Sequence, residues 1–259
     1  MMATLLVLGG TSETREITLS LAQAGYDVLV STATGIDLDV GKHPRIRRRS
    51  GRLDRETMRR EIIVAQTSAI VDATHPYAVE ISALAAELAS ELGLTRFVYL
   101  RPPVSGGGEE VILAADHEEA AVLACDLGRP VLLTIGSKNI EPYARQARLR
   151  GVVIFARVLP ENHSLETCLS VGLDREHVIT GRGPFSTMEN RETIRKLNIG
   201  VLVTKDSGAA GGVMEKLEAA RIEDCKVVMI KRPGHEGGIR FGSVQNLVEA
   251  IVNQIPAGG

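Results

Sequence analysis

A chain of 259 residues with 44% hydrophobic content is long enough for one large domain or two ordinary ones and can bury a full core. Its 30 basic and 32 acidic residues leave a net charge of -2, which argues against a general nucleic-acid or anionic-membrane binder and requires any acidic ligand to be held by a local cluster. Aromatic residues are only 3% of the chain and Trp is absent, so neither a stacking platform for single strands nor an interfacial aromatic belt is expected. Cys125, Cys168 and Cys225 are odd in number and far apart, the pattern of reduced core thiols. Met1 to Leu8 lacks a basic leader start, and no apolar run approaches the roughly 20 residues a membrane helix needs. A cytoplasmic location is expected.

The first half is organised around Thr4 to Tyr26. Leu5 to Leu8 run unbroken into Gly9 and Gly10, and Ile17, Leu21 and Ala24 then recur at helical spacing up to Gly25. This is strand, tight glycine turn, helix. An apolar strand without alternation is one buried on both faces, as in a parallel sheet, and the glycines let helix-start N–H groups approach a phosphate. The run is G-G-T-S-E and not G-x-G-x-x-G, so taken alone it is equally a structural cap. Asp27 to Ser31 reads as a second strand, whose end in this kind of fold meets the adenosine ribose. There Ser31 and Thr32 stand without an acid, which leans toward NADP. Gly35 to His43 has P-loop features but the wrong spacing and is rejected.

Ile46 to Arg49 reads as a short strand followed by a basic patch of Arg45, Arg47, Arg48, Arg49 and Arg52, a charge run that is usually a solvated face, with a phosphate or carboxylate role as the lesser alternative. Asp54 caps a helix to about Gln66, and Ala69 to Asp72 is another buried strand. After it Thr74, His75, Pro76 and Tyr77 fall at the carboxyl edge, with Pro76 at the first position of a helix running to Gly93. Arg96 to Leu100 closes this half, and Ser105 to Gly108 reads as a crossing segment. The second half repeats the alternation, with strands at Val111 to Ala114, Val131 to Ile135, Val152 to Leu159, His177 to Thr180, Val201 to Thr204 and Val227 to Ile230, and helices from Asp116, to Arg221 and over Ser243 to Ile255. Both halves therefore read as doubly wound, Rossmann-like parallel sheets, with domains 1–101 and 102–259 whose strand ends are expected to face a shared cleft.

The six histidines are scattered without metal-ligand spacing, and no metal is expected. No Tyr stands four residues before a Lys, and G-x-S-x-G is absent, which removes a short-chain dehydrogenase and a serine hydrolase. What remains is a cofactor cradle at Gly9, Gly10, Thr11, Ser12, Glu13, Ser31, Thr74, His75, Pro76 and Tyr77. Arg15, Lys138, Arg182 and Lys205 remain for an anionic substrate, with Ser137, Ser186, Ser207 and Gly208 in the same loops. No Asp, Glu, His or Tyr stands out as a dedicated acid, so catalytic residues stay unassigned and positioning is expected to dominate.

Gly9 to Arg15, Gly51 to Asp54, Asp72 to Ala78, Arg101-Pro102-Pro103, Gly183 to Ser186 and Thr204 to Gly208 occur in this order, and together they resemble the precorrin-6A reductase family. The resemblance covers Leu5 to about Pro233. It implies an oxidoreductase of cobalamin biosynthesis that reduces a double bond of precorrin-6A, or its cobalt form, to the 6B form with NADPH or NADH. Domain 1–101 would bind the nicotinamide nucleotide, and domain 102–259 would supply loops for the tetrapyrrole substrate. Nucleic acid and membrane partners are not implied; weak contacts with neighbouring pathway enzymes are. Val104 stands where such families commonly carry Trp, and Thr14 where Ala is usual, the latter expected to be neutral. The alternatives on the same fold are a non-enzymatic nucleotide-binding regulator and an unrelated two-domain reductase or glycosyl transferase.

Overall fold

The computed structural model describes residues 2–33, 39–102, 111–208, 211–234 and 237–258. The expected crossing segment Ser105 to Gly108, Val104, and residues 35–38 of the rejected P-loop-like stretch lie outside the described residues. The chain divides into two compact units, Met1–Pro102 together with Pro233–Gly259, and Pro103–Arg232.

In the first unit, β1 (Thr4–Leu8), β2 (Asp27–Thr32), β3 (Ile46–Ser50), β4 (Thr67–Asp72), β5 (Thr95–Tyr99) and a late strand, β12 (Ile239–Phe241), form one six-stranded sheet. Its order is β12-β5-β4-β1-β2-β3, and every pairing is parallel. Alternation along β1 divides the core. Leu5 and Val7 pack with Ile17 and Leu21 of α1 (Thr14–Gln23) and with Leu247 and Ile251 of α9 (Val244–Gln254). Leu6 and Leu8 pack on the opposite face, with Met58 and Ile62 of α2 (Arg55–Val64) and Ala85 and Leu88 of α3 (Val79–Glu91). Helices on both faces explain why β1 carries no polar residue between Leu5 and Leu8.

The second unit contains β6 (Val111–Ala114), β7 (Val131–Leu133), β8 (Ile154–Val158), β9 (Val178–Thr180), β10 (Val201–Lys205) and β11 (Lys226–Ile230), again all parallel, in the order β6-β11-β10-β7-β8-β9. Its helices are α4 (His117–Asp126), α5 (Glu141–Arg150), α6 (Asn162–Ser170), α7 (Thr187–Lys196) and α8 (Val213–Ile222). Ile194 of α7 with Ala219 and Ala220 of α8 cover Leu132, Leu202 and Val227 on one face. Asp54, Asp116, Ser186 and Ser243 each accept a backbone N–H at a helix start, which fixes where α2, α4, α7 and α9 begin.

The chain end departs from the expected 102–259 domain. From Pro233 it returns to the first unit, where β12 extends the sheet beside β5 and α9 covers a face of it. The return is fastened by Tyr26, whose hydroxyl donates to the Ile255 carbonyl at 2.6 Å, and by Ala3 N–H, which donates to Ala257 O at 2.9 Å. The first unit needs α9 because without it Leu5, Val7 and Phe97 would face water. Pro76 also differs from expectation: α3 begins at Val79, and Pro76 lies in a turn closed by Ala78 N–H donating to His75 O at 2.8 Å.

Candidate functional site

In each sheet the strand order reverses at one place, between β1 and β4 in the first unit and between β7 and β10 in the second. The carboxyl edge at such a reversal is where open α/β sheets take ligands. Gly9 to Glu13 and Thr74 to Tyr77 stand at the first of these places, and Ser137, Lys138, Lys205, Ser207 and Gly208 at the second.

At the first, the loop after β1 is tied to the loop after β4 by the Thr11 hydroxyl, which donates to Ala73 O at 3.2 Å. Gly9 is required by close approach, since a Cβ there would stand 2.8 Å from Cγ2 of Thr14. Gly10 has φ of +153° and is exposed, and a Cβ built on it would meet nothing nearer than His75 N at 4.0 Å. The backbone at Gly10 is therefore open to a ligand on its outer side. Thr14, expected to be neutral, organises the turn: its buried hydroxyl accepts from Gly10 N–H at 3.2 Å and Thr11 N–H at 3.3 Å. His75 Nδ1 accepts from Tyr77 N–H at 3.3 Å, which shapes the second loop, and Pro76 is buried beneath it.

The ionised groups behind these loops hold them in place. Asp72, at the end of β4, is almost fully buried and receives Arg96 Nη2 at 2.5 Å, Ser82 Oγ at 2.8 Å and Thr74 Oγ1 at 2.7 Å. Burial alone would raise its carboxyl, but the hydrogen bonds from Thr74 and Arg96 outweigh this and hold it below its ordinary value. Glu13 meets Arg101 in a two-oxygen pair, with Nε at 2.7 Å and Nη2 at 2.6 Å, and Arg101 Nη2 also reaches Ser12 Oγ at 2.8 Å. Burial opposes the charge of Glu13 too, and Arg101 again prevails. Ser12 and Glu13 thus anchor the start of α1 to the end of β5.

At the end of β2, the pairing of Val30 with Arg48 and of Ser31 with Arg49 brings guanidinium groups to the hydroxyls expected to meet the ribose. Ser31 Oγ accepts from Arg49 Nη1 at 3.0 Å, and Thr32 Oγ1 accepts from Arg48 Nη2 at 3.3 Å. Arg49 also holds Gly51 O at 3.0 Å and lies 3.7 Å from Glu61. Arg15 is not brought to these loops: it is exposed and pairs with Asp39 at 2.9 Å.

In the second unit, Ser137 and Lys138 follow β7, and Lys205, Ser207 and Gly208 end and follow β10, so the reversal between these strands collects them. Ser207 is buried, with its N–H on Lys205 O at 2.8 Å, and Gly208 N–H donates to Asp206 Oδ1 at 3.3 Å. Asp206 is engaged by Arg232 at 3.0 Å. Burial, and then the charge of Lys138, bring the Lys205 ammonium down to about 8. His117, at the start of α4, touches the buried Tyr143 hydroxyl at 3.1 Å and is pushed down to about 4 by burial and by Lys205, so it is neutral. Ser186 is used in a capping box: its hydroxyl accepts from Glu189 N–H at 3.2 Å, and Glu189 takes Ser186 N–H at 2.7 Å. Arg182 is exposed. The cysteines are all buried, and burial raises the thiols of Cys125 to about 11 and Cys225 to about 12, so they are inert.

Arg48 and Arg49 fall in a charge run whose ordinary reading is a solvated face, with a phosphate or carboxylate role as the alternative, and the sequence assigns no role to Arg101, Arg157 or Lys216. The strand register of β3 against β2 is what places the first two, and no pattern within IRRRS announces it. For Arg101 the R-P-P stretch was the available signal.

Two doubly wound parallel sheets, with a glycine turn, paired loops and arginines at the reversal of the first, define a nucleotide-binding α/β protein of the oxidoreductase kind. Residues 4–252 match the family model for precorrin-6x reductase CbiJ/CobK. A cobalt-precorrin-6A reductase of Priestia megaterium is 32% identical over 251 residues, covering 96% of this chain and 98% of that one. A precorrin-6A reductase of Rhodococcus erythropolis is 33% identical over 238 residues, covering 90% of each. The solved CobK precorrin-6A reductase superposes with a TM-score of 0.80 over 100% of both chains at 23% identity, which establishes the shared fold. The chain belongs to the precorrin-6x reductase family and is an oxidoreductase of cobalamin biosynthesis. No helix among the described residues is long and apolar enough to cross a membrane.

Proposed function

We propose that this enzyme reduces precorrin-6A, metal-free or cobalt-bearing, to the 6B form in the cytoplasm, with NADPH preferred over NADH. The cofactor lies along the first unit's strand ends, over Gly10 to Glu13 and beside Thr74, His75, Pro76 and Tyr77. The tetrapyrrole is held by the second unit's loops. The observation that carries the cofactor choice is the end of β2, where Ser31 and Thr32 stand under Arg49 and Arg48. An acid there would chelate the ribose hydroxyls and repel a 2′-phosphate, whereas arginine accepts it. The open outer side of Gly10 fits the close approach of a pyrophosphate.

When bound, the nicotinamide supplies the hydride. The chain's own part is placement: the Asp72–Arg96 and Glu13–Arg101 pairs fix the loops that orient the ring, and Lys138 and Lys205 hold carboxylates of the substrate. No side chain among the described residues of the first unit's loops stands out as a dedicated acid, and this reading has the proton come from water or from a substrate carboxyl.

Arg49→Ala, and separately Arg48→Ala, are expected to lower kcat/KM for NADPH roughly tenfold or more, the worth of a charge-assisted contact, while NADH changes by less than about twofold. Equal losses for both nucleotides would show that the 2′-phosphate is read elsewhere.

A further inference from the structure

Arg157 and Lys216 lie outside every motif, yet the fold brings both to the carboxyl edge of the second sheet. Arg157 is the penultimate residue of β8 and is only 6% exposed. Its Nη2 donates to Asn190 Oδ1 at 2.7 Å, and its guanidinium lies 4.1 Å over the Phe185 ring. Its Nη1 is buried and has no hydrogen-bond partner among the described residues. A buried guanidinium N–H left without an acceptor is destabilising, so a chain that keeps one there has a use for it.

Lys216 sits at the start of α8. That end is packed against the loop after β9, where a Cβ at Gly212 would meet Pro184 Cβ at 3.3 Å, next to the Phe185 that underlies Arg157. Among the described residues Lys216 makes a single long contact, Nζ to Gly211 O at 3.4 Å. Its ammonium is brought down to about 8, first by burial and then by the charges of Arg157 and Lys205, with Glu215 opposing. Lys205 in turn feels Lys138. The ammonium groups of Lys138, Lys205 and Lys216 and the Arg157 guanidinium thus stand close enough to repel one another, and they do so where the N-terminus of α8 adds its own positive end. Glu189, the carboxylate acting on Arg157, is exposed and occupied by the Ser186 cap. Cations concentrated in this way are stabilised by an anionic ligand and strained without one.

We infer that Arg157 and Lys216 join Lys138 and Lys205 in one anion site that takes carboxylate groups on the side chains of the tetrapyrrole substrate. The inference rests on the reading of the second unit as the substrate unit and extends it to residues on β8 and α8. A carboxylate set against the free Nη1 of Arg157 completes its hydrogen bonding, and the lysines supply point charges for the same or an adjacent acid group.

The test uses full-length enzyme and steady-state kinetics with precorrin-6A, together with calorimetric binding of precorrin-6A in the absence of nicotinamide. Lys216→Met keeps the aliphatic stem and removes the charge; Lys216→Arg restores a charge; Arg157→Lys keeps charge and loses the planar fork. Lys216→Met and Arg157→Lys are expected to raise KM and Kd for the tetrapyrrole roughly tenfold or more, with the KM for NADPH unchanged and Lys216→Arg close to wild type. If both variants melt with wild-type Tm and leave tetrapyrrole binding unchanged while Lys205→Ala weakens it, the extension to Arg157 and Lys216 is wrong and the substrate unit stands. If Lys205→Ala also leaves it unchanged, the reading of the unit falls. A rise in the NADPH KM alone would assign the cluster to a nucleotide phosphate and overturn the inference.

Discussion

The two units carry the same sheet and opposite chemistry at its reversal. Both place two strands outside a β1- or β7-type strand on one side and three on the other, and in both the outermost strand of the longer side is out of sequence: β12 comes from the chain's end, and β6 from before the rest of its sheet. In the first unit the ionised groups behind the loops are matched, Asp72 with Arg96 and Glu13 with Arg101, leaving a rim of backbone, hydroxyls and glycine beside the Arg48 and Arg49 guanidinium groups at the end of β2. In the second, Lys138, Lys205, Lys216 and Arg157 act on one another as like charges. Under the proposed reading, one sheet topology supports a dinucleotide rim in one unit and a polyacid rim in the other. The difference resides in a few side chains at strand ends.

The comparison breaks most severely if the first unit's matched pairs are not what holds its loops. Asp72→Asn leaves Arg96 buried without its counter-charge and is expected to cost about 3–5 kcal/mol, read as a lower urea midpoint. The pH dependence has a definite sign. Because the folded carboxyl of Asp72 sits below its unfolded value of 3.8, its contribution is fully present above that value and is lost as pH falls through the folded one. The gap between wild type and Asp72→Asn is therefore expected to close in acid. A gap that persists at low pH would mean the loss is steric.

The second unit makes a smaller and opposite statement in alkali. Lys205 and Lys216 are charged below about 8, so the tetrapyrrole KM is expected to rise on the order of tenfold by one unit above that, while the NADPH KM stays flat. Over the same range the empty enzyme should gain stability. Between about 8 and the unfolded value of 10.5 the unfolded chain binds more protons than the folded one, so stability rises with pH. Thermal melts of ligand-free enzyme between pH 8 and 10 measure this, and stability that falls through that window would contradict the like-charge cluster.

The smallest effect sharpens a single residue. Ser186 was expected at the substrate, and its hydroxyl instead closes a capping box. Ser186→Ala should lower stability by about 1 kcal/mol, the usual worth of such a cap, and leave the tetrapyrrole KM within error. A raised KM at unchanged stability would return Ser186 to the substrate.

Much of this was legible in the chain. The strand-turn-helix at Leu5 to Leu21 shows because both faces of β1 are covered, which forces an unbroken apolar run, and because Gly9 has no room for a Cβ beside Thr14. Thr74 and His75 were placed correctly at a strand end, and only the start of α3 was misjudged, since the His75 ring captures Tyr77 N–H and delays the helix. That Glu13 pairs with Arg101 was not legible, because Arg101 lies far away in sequence. Its distance along the chain hid the pair.

The sequence by itself determined the doubly wound parallel class, the glycine turn, the ordered set of family motifs and the positions of the strand ends, because each depends on local spacing or on burial of one element. Tertiary structure alone decided that the chain returns from Pro233 to complete the first sheet, since Ile239–Phe241 is too short to signal a strand until it pairs with β5. It alone set Arg48 and Arg49 over the hydroxyls of β2, through the register of an edge strand. It also brought Arg157 to Lys216, which are joined by packing of α8 against the loop after β9 and by no spacing in the chain.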